Sequence, residues 1–255
     1  LPVTPRRIFF FNIVKLKLFN RHEIITNMNY VFGIDGCKAG WIVAEEIHKN
    51  ELNITLFKSL SQLEILTKNE ATVGIDIPLQ IHDKGFRKAD SEARALLKSR
   101  ASSIFSAPAK KTLLAKTYKD ACEVNFSVCG KKISKQTWFL FKKIKEARTL
   151  FCKKENYLKL YEVHPELSFM AMNNMKVLEY GKKTIEGFNF RYRLLKQVFP
   201  LFDFREIRAK FKKKDVADDD ILDAVAVLWS TQKIIDKIAS YVPKDPETPL
   251  SKIYY

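Results

Sequence analysis

Three acidic side chains stand near the ends of predicted β-strands. Asp35 ends the apolar run YVFGID, Asp76 lies near the end of TVGIDI, and Glu162 lies near the end of LKLYEV. A lone acid at a strand end commonly hydrogen-bonds the following turn, so each one taken singly has a structural explanation. Taken together they have a second explanation, because strands that end at one edge of a sheet bring such side chains close to one another.

Further aspartates open a long predicted helix at residues 218–235. Asp223 follows Asp219 and Asp220 by four and three residues, and these spacings place the three carboxylates on one helix face. An Asp at a helix N-terminus caps free N–H groups and complements the helix dipole, which stabilises by about 0.3–1 kcal/mol. Capping accounts for Asp218 or Asp219 but not for Asp223, which lies more than one turn inside the helix.

Carboxylates gathered at one edge repel each other strongly unless a cation neutralises them. Hard oxygen ligands of this kind favour Mg²⁺ or Mn²⁺. Two such ions about 3.5–4 Å apart stabilise the attacking and leaving oxygens in phosphoryl transfer. The acidic positions therefore predict a divalent-metal site that acts on phosphate esters.

The elements that position these acids follow from hydrophobic periodicity. Strands at 30–35, 41–44 and 52–57 are joined by short turns and predict an antiparallel meander, and a helix at 59–67 and a strand at 72–77 follow. This order predicts an α/β fold with a mixed sheet, in which parallel strands extend the meander.

The second half of the chain is mainly helical. Residues 86–155 are charged and mostly helical, interrupted by the Ser-rich loop SSIFSAP at 102–108, and a strand at 158–163 follows them. Residues 181–214 are basic and helical, with Pro200 as a breaker. We expect a single domain over residues 28–255 with a helical insertion at about 86–155.

Composition favours a polyanionic partner and excludes several classes of protein. The 255 residues carry 45 Lys and Arg against 29 Asp and Glu, a net charge of +16, and basic surfaces favour nucleic acid. Lysine-rich surfaces that bind nothing are also common. The hydrophobic content of 46% excludes disorder, and no apolar run approaches the roughly 20 residues of a membrane span. Four cysteines without a CxxC pair exclude a zinc finger and favour a cytoplasmic location without disulfides.

Residues 1–27 differ from the rest of the chain. They hold five basic residues and one acid, and they lack the clean apolar core and the cleavage site of a secretory signal. An Arg-rich transit peptide is a second possibility, but the segment contains no Ser. We interpret the segment as an extension upstream of a domain that begins at Met28.

Six further residues are candidates for substrate binding. Arg87, Arg94 and Arg100 recur at helical spacings and either bind phosphate or form an internal network with Asp90. Ser103 either contacts phosphate or caps a turn, and Lys143 is placed to reach substrate. His164 either assists proton transfer or hydrogen-bonds a turn. The basic run RAKFKKK at 208–214 is either a nucleic-acid contact or a solvated surface.

The order of these elements resembles the ribonuclease H-like fold. More narrowly, the chain is similar to the bacterial and archaeal family called domain of unknown function 429, whose members are described as predicted ribonuclease H-like nucleases. The matching stretches occur in order and are GIDGCKAGW, GIDIPLQI, RKADSEAR, SSIFSAP, YEVHPELSF and DDILDAVAVLW, within residues 33–229. The resemblance implies metal-binding roles for Asp35, Asp76, Asp220 and Asp223. It also implies a role for Glu162 as an additional ligand or orienting group.

The function expected from these features is metal-dependent hydrolysis of nucleic acid, in which water attacks phosphorus. One alternative is an ATP-dependent phosphotransferase of the actin and sugar-kinase superfamily, which shares this core. Such enzymes usually need a second Gly-rich phosphate loop, and the eight glycines of this chain form none. The other alternative is a non-catalytic nucleic-acid-binding protein, for which binding is salt-sensitive and independent of metal.

Overall fold

A five-stranded mixed sheet forms the centre of the molecule. The computed structural model describes residues 30–66, 70–151, 158–248 and 251–255, so the predicted extension at 1–27 lies outside the described residues. The strands are β1 (Tyr30–Cys37), β2 (Gly40–His48), β3 (Glu51–Phe57), β4 (Ala71–Ile75) and β5 (Leu158–Glu162). Their order is β3-β2-β1-β4-β5, with β1, β2 and β3 antiparallel and β1, β4 and β5 parallel. This arrangement confirms the predicted α/β class and the ribonuclease H-like mixed sheet.

Helices cover both faces of the sheet. They are α1 (Ser61–Leu66), α2 (Lys88–Leu97), α3 (Tyr118–Cys129), α4 (Lys135–Phe139), α5 (Phe141–Phe151), α6 (Pro165–Met172), α7 (Ile185–Val198), α8 (Phe204–Ala209) and α9 (Asp218–Ile235). Helices α2 to α5 lie between β4 and β5 in the chain, where the helical insertion was expected. Near the C-terminus, Tyr241–Val242 and Ile253–Tyr254 form a separate pair of short strands, β6 and β7. Among the described residues, none of the helices combines the length and the apolar composition needed to cross a membrane.

Helix α9 lies directly against the backbone of β1 and β4. A Cβ atom at Gly33 would stand 2.1 Å from the amide N of Leu228, and one at Gly74 would stand 2.0 Å from Oγ1 of Thr231. These two glycines are register partners on the adjacent strands. Because neither has a side chain, the helix approaches the sheet closely enough to be buried along most of its length.

The opposite face of the sheet packs against the helical insertion. Phe32 and Ile34 of β1 and Val73 and Ile75 of β4 belong to a core that includes Ile144 and other residues of α5. Residues alternate between the two faces along a strand, so Gly33 and Asp35 face α9 while Phe32 and Ile34 face the insertion. The sheet thus separates two apolar cores, and α9 belongs to the second.

Candidate functional site

Two aspartates meet at the carboxyl ends of β1 and β4. The parallel register pairs Ile34 with Ile75, and the amide of Asp76 donates a hydrogen bond of 2.9 Å to the carbonyl oxygen of Ile34. Asp35 and Asp76 each lie two residues beyond a glycine that contacts α9, so both side chains face the N-terminal end of that helix. Neither carboxylate accepts a hydrogen bond within the described part of the chain.

The first two turns of α9 bring three more aspartates to the same place. Burial, and then the charges of Asp76, Asp223 and Asp220, raise the pKa of Asp35. Asp220 also accepts a hydrogen bond of 2.7 Å from the amide of Ala217 and so caps the helix. We call Asp35, Asp76, Asp219, Asp220 and Asp223 the aspartate cluster.

A lysine from the loop before α7 enters the aspartate cluster. Nζ of Lys182 lies 2.6 Å from Oδ2 of Asp223 and 3.1 Å from Oδ2 of Asp219. Burial acts to lower the pKa of Lys182, but Asp223, Asp35 and Asp219 raise it above its ordinary value, so the ammonium stays charged. Lys182 therefore neutralises part of the cluster from a different element.

The remaining carboxylates ionise with difficulty. Burial and the charge of Asp223 raise the pKa of Asp76 to about 7, although Lys182 acts in the opposite direction. Burial likewise raises the pKa of Asp220 to about 6. These shifts mean that burial and neighbouring carboxylates disfavour the ionised forms of Asp76 and Asp220, whereas a cation at the site would favour them.

The donor atoms of the cluster fit a hard divalent cation. The side chain of Asp223 is 2% exposed, and its Oδ1 is buried with no hydrogen-bond partner among the described residues. A buried carboxylate oxygen normally has a partner, so this atom points to a missing ligand or water. As the side chains stand, no three His, Cys, Asp or Glu residues within the described ranges are arranged to hold a metal ion. The chemistry thus fits Mg²⁺ or Mn²⁺, and binding requires side-chain rearrangement.

Glu162 does not join the aspartate cluster. It pairs in register with Ile75, one residue before Asp76, and therefore faces the opposite side of the sheet. There its Oε2 accepts hydrogen bonds of 2.7 Å from Nη1 of Arg87 and 2.9 Å from the amide of Leu79. Arg87 also binds Asp90, and all three charged residues are buried. Of the two explanations for Arg87, the structure shows the internal network.

Arg94 and Ser103 also make internal contacts. Arg94 donates hydrogen bonds to the carbonyl oxygen of Ile104, at 2.9 Å from Nη2, and to Oγ of Ser106. Oγ of Ser103 donates to the carbonyl oxygen of Arg100 at 2.8 Å, which closes the turn that follows α2. The contact of Ser103 is the turn cap that the sequence left open, whereas Arg94 is bound internally by the Ser-rich loop rather than through the expected network with Asp90.

Arg100 lies beside a buried ion pair that the sequence did not indicate. Both carboxylate oxygens of Glu166 accept hydrogen bonds from Nη2 of Arg191, at 2.6 and 2.8 Å. Nη2 of Arg100 is 4.0 Å from Oε1 of Glu166. Nε of Arg100 is buried without a partner among the described residues. Arg100 therefore keeps hydrogen-bonding capacity that the protein itself does not use.

His164 lies close to the aspartate cluster. Burial lowers its pKa, while the charges of Glu166 and Asp223 act to raise it. The backbone of Ser103 also acts to raise the pKa of His164, and Nδ1 of the imidazole is buried with no partner in the described part of the chain. A neutral imidazole with one free nitrogen is suited to accept or deliver a proton.

Lys143 approaches the cluster from the other face of the sheet. Its side chain crosses Gly36, its Nζ donates to the carbonyl oxygen of Gly40, and the ammonium lies 4.4 Å from the ring centroid of Trp41. Burial lowers the pKa of Lys143, while Cys37 and Asp35 act to raise it. The charge of Lys143 thus reaches Asp35, although the nearest hydrogen-bond partner of its ammonium is backbone.

The basic run at 208–214 leads directly into α9. Arg208 is used internally, since Nη1 donates to Oδ1 of Asp218 at 3.0 Å and to the carbonyl oxygen of Val216. Lys212, Lys213 and Lys214 follow the end of α8 and are exposed. The amide of Ala39, next to the end of β1, donates to the carbonyl oxygen of Asp215, which places these lysines beside the aspartate cluster.

Sequence reasoning missed Lys182 and Glu166. Lys182 is one of 11 basic residues between positions 181 and 214, so composition gives no reason to select it. Glu166 lies within the stretch YEVHPELSF, but its partner Arg191 is 25 residues away on α7. Only the packing of α6 against α7 identifies that pair.

A family model described as "Protein of unknown function (DUF429)" matches residues 33–248. The matched region contains the whole aspartate cluster and Lys182. No curated protein and no solved structure matches the chain.

Proposed function

We propose that this chain, which belongs to the family described as protein of unknown function DUF429, is a metal-dependent nuclease that hydrolyses phosphodiester bonds. One observation carries the proposal: five aspartates meet at the carboxyl ends of β1 and β4, and one buried oxygen, Oδ1 of Asp223, has no partner among the described residues. A cluster built only for stability would pair its charges, because unpaired buried carboxylates destabilise the fold.

The metal-binding residues in this proposal are Asp35, Asp76, Asp220 and Asp223. Carboxylate oxygens are the ligands that Mg²⁺ and Mn²⁺ prefer. When bound, either ion supplies Lewis-acid stabilisation of negative charge on phosphate and lowers the pKa of water. Burial and neighbouring charges raise the pKa values of Asp35 and Asp76, and a cation at the site would favour their ionised forms.

Other residues of the chain bind substrate and move protons in this proposal. His164 is neutral near pH 7 because burial lowers its pKa, so its imidazole can accept a proton from the attacking water and, once protonated, deliver that proton to the leaving oxygen. The Arg100 side chain, which is 24% exposed, donates to a phosphate oxygen. Lys212, Lys213 and Lys214 attract the nucleic-acid backbone.

The decisive experiment measures cleavage of labelled single- and double-stranded DNA and RNA with Mg²⁺, Mn²⁺ or EDTA. We expect cleavage of at least one substrate with a divalent ion and none in EDTA. Asp35→Asn and Asp76→Asn should each lower the rate at least about 100-fold, because each removes a charged ligand.

The matched control is Asp218→Asn, which removes the same charge one residue before the cluster. Asp218 pairs with Arg208 and Lys213, so its loss should leave the rate within about threefold of the parent. Cleavage that persists in EDTA, or that survives Asp35→Asn, contradicts the proposal. Salt-sensitive binding without cleavage under every condition favours the non-catalytic alternative.

A further inference from the structure

A cleft lies at the carboxyl ends of β4 and β5, where Asp76 of the aspartate cluster is part of its wall. Asp76, which follows β4, and His164, which lies just after β5, both line the cleft, together with Phe105 of the Ser-rich loop. It contains about 270 Å³ of empty space, part of which is open to solvent. Ligands of open α/β sheets bind outside the carboxyl ends of the parallel strands. The cleft is therefore placed to receive a part of the substrate close to the bond that is hydrolysed.

The backbone on both sides of Phe105 is held by buried side chains of α2. Nη2 of Arg94 donates a hydrogen bond of 2.9 Å to the carbonyl oxygen of Ile104, and the amide of Ala107 donates one of 3.0 Å to Oδ2 of Asp90. Ile104 and Ala107 are themselves buried. The loop thus presents Phe105 at the cleft from a fixed position, which lowers the entropy cost of using it to bind a ligand.

The ring of Phe105 is not used by the fold. Phe105 is half-buried, and among the residues that the structure describes it packs in none of the apolar cores and makes no ring contact. Aromatic side chains next to a nucleic-acid backbone bind by stacking on bases, and this interaction tolerates any sequence because every base has a π-face. Phe105 has the chemistry and the position for such a contact.

The charged wall of the cleft has no arginine donor left to recognise the edge of a base. Arg87 donates to Asp90 from Nε and Nη2, to Glu162 from Nη1 and Nη2, and to the carbonyl oxygen of Gln80 from Nη1. These bonds use all five N–H groups of a guanidinium. A base bound in the cleft is therefore held by stacking more than by hydrogen bonds, and we expect little preference between bases.

We infer that the ring of Phe105 stacks on an unpaired base of the substrate, so that the nucleic acid is single-stranded where it is cleaved. In a duplex the faces of each base are covered by its neighbours, whereas a single strand can turn a base out onto an aromatic side chain. This inference rests on the proposed nuclease function and specifies the form of the substrate at that site.

The test measures binding of a labelled single strand and of the matching duplex by fluorescence anisotropy in EDTA, with DNA and RNA versions of each. Phe105→Leu keeps an apolar side chain but removes the ring, so it should weaken single-strand binding at least about fivefold, the lower range for loss of one stacked base. It should leave duplex binding within about twofold of the parent. Phe105→Trp keeps a ring face and should bind single strands within about threefold of the parent.

Phe139→Leu is the matched control for the substitution. Phe139 is 75% exposed on α4 and does not line the cleft, so its replacement should leave single-strand binding within about twofold of the parent. Circular dichroism confirms that each variant is folded.

A strand without bases keeps the inference falsifiable even if Phe105→Leu is unstable. An abasic strand of the same length has the same phosphates, and the parent should bind it at least about fivefold more weakly than the normal strand. Phe105→Leu should bind both strands with the same affinity.

The failure of this inference is distinguishable from the failure of the nuclease proposal. Equal affinity of the parent for the normal and abasic strands, or equal affinity of the parent and Phe105→Leu for the normal strand, overturns the role of Phe105, whether or not cleavage with a divalent ion is observed. Binding that depends on Phe105 without cleavage by any divalent ion supports base stacking and overturns the nuclease proposal. Absence of binding to every strand overturns both.

Discussion

The tripeptide Gly-Ile-Asp occurs twice, at 33–35 and 74–76, and each of its residues has a separate role. The glycine gives α9 room to lie on the strand, and the isoleucine faces the opposite core. The aspartate lies on the same face as the glycine but beyond it, where α9 begins. Each tripeptide therefore fixes both the position of the helix and a carboxylate that points at its N-terminus.

Glu162 shows how strongly a one-residue difference in register decides the role of an acid. It lies beside Ile75 in the parallel pair β4–β5, whereas Val163 follows beside Asp76. Glu162 consequently faces Arg87 and is held there by buried hydrogen bonds. Strand periodicity placed it correctly at a strand end, but the face depends on pairing that the sequence does not show.

The raised pKa of Asp76 predicts an unusual dependence of stability on pH in the absence of metal. Its pKa is about 7 in the folded protein against an ordinary value of 3.8, so the folded state holds a proton that the unfolded chain releases. Stability from this group is present at low pH and is lost as pH rises through about 4 to 7. In EDTA, Asp76→Asn should exceed the parent in free energy of unfolding by at least about 1.4 kcal/mol near pH 8, and less near pH 5.

Urea unfolding of both proteins across this pH range measures the difference directly. Asp83→Asn is the control, because Asp83 is exposed and its substitution should change stability little at any pH. Parallel curves for the parent and Asp76→Asn would show that Asp76 is not the group that makes stability fall with pH.

At the scale of elements, the sequence predicted the five strands of the central sheet and helices α1 and α9 individually. It predicted α2–α5 and α7–α8 only as helical regions, and it did not predict α6, β6 or β7. Helix α9 begins and ends at the predicted residues, and the meander β1–β3 follows from alternation and short turns. These elements are predictable because their signals are local: apolar periodicity, turn residues and the acidic helix start. The carboxylates of the site were predictable for the same reason, since each stands near the end of a strand or in the first two turns of α9.

Lys182, the positively charged residue of the site, was not predictable, because its position depends on contacts between distant segments. Lys182 and Asp223 are 41 residues apart, and the loop that joins them to one site is fixed by Arg191 and Gly187 on α7. Arg87 and Glu162 are 75 residues apart. Pairings of this kind are set by how helices pack on the sheet, which local patterns do not encode.

The contact between α9 and the sheet predicts that the two glycines respond differently to the same substitution. At Gly33 an added Cβ meets backbone atoms, the amide N of Leu228 at 2.1 Å and the carbonyl oxygen of Ala224 at 2.4 Å. At Gly74 it meets Oγ1 of Thr231, a side-chain atom that can be removed. Gly33→Ala and Gly74→Ala should each cost at least about 3 kcal/mol, the upper range for overpacking.

Thr231→Ala should restore most of the stability lost in Gly74→Ala and none of that lost in Gly33→Ala, as measured by a double-mutant cycle from thermal unfolding. Gly181→Ala serves as the tolerated control, because the nearest atoms to a Cβ there belong to the side chains of Arg100, at 3.5 Å, and Thr184, at 3.9 Å. Equal rescue at both glycines would contradict the close backbone contact at Gly33.

At the scale of the whole molecule, the distribution of charge carries more information than its sum. A net charge of +16 is compatible with many functions, but residues 181–214 contain 11 Lys and Arg against three Asp and Glu and lead directly into the acidic start of α9. Arg191 and Arg208 form internal ion pairs, and Lys182 forms ion pairs with residues of the aspartate cluster. The exposed residues Lys212, Lys213 and Lys214, which follow α8, lie beside the aspartate cluster. Exposed lysines beside the aspartate cluster fit the proposed substrate, which is a polyanion that is hydrolysed at one bond.

The exposed residues Lys212, Lys213 and Lys214 predict how the proposed nucleic-acid binding depends on salt concentration. Each phosphate contact contributes about 0.7–0.9 to the slope of log K against log salt concentration. The triple variant Lys212→Gln, Lys213→Gln and Lys214→Gln should therefore lower that slope by about 2–3 and weaken binding to all sequences equally. Fluorescence anisotropy in EDTA, in which the proposed cleavage is absent, measures the slope.

A second triple variant, which removes three lysine charges from the helical insertion, is the matched control. Lys111, Lys116 and Lys119 are exposed on the segment that leads into α3, on the far side of the sheet from α9. Their replacement by Gln should leave the salt slope within about 0.5 of the parent value if the backbone of the substrate follows the exposed lysines beside α9. A larger loss from this second triple variant would locate the nucleic acid on the insertion instead, because counterion release reports only the lysines that contact phosphate.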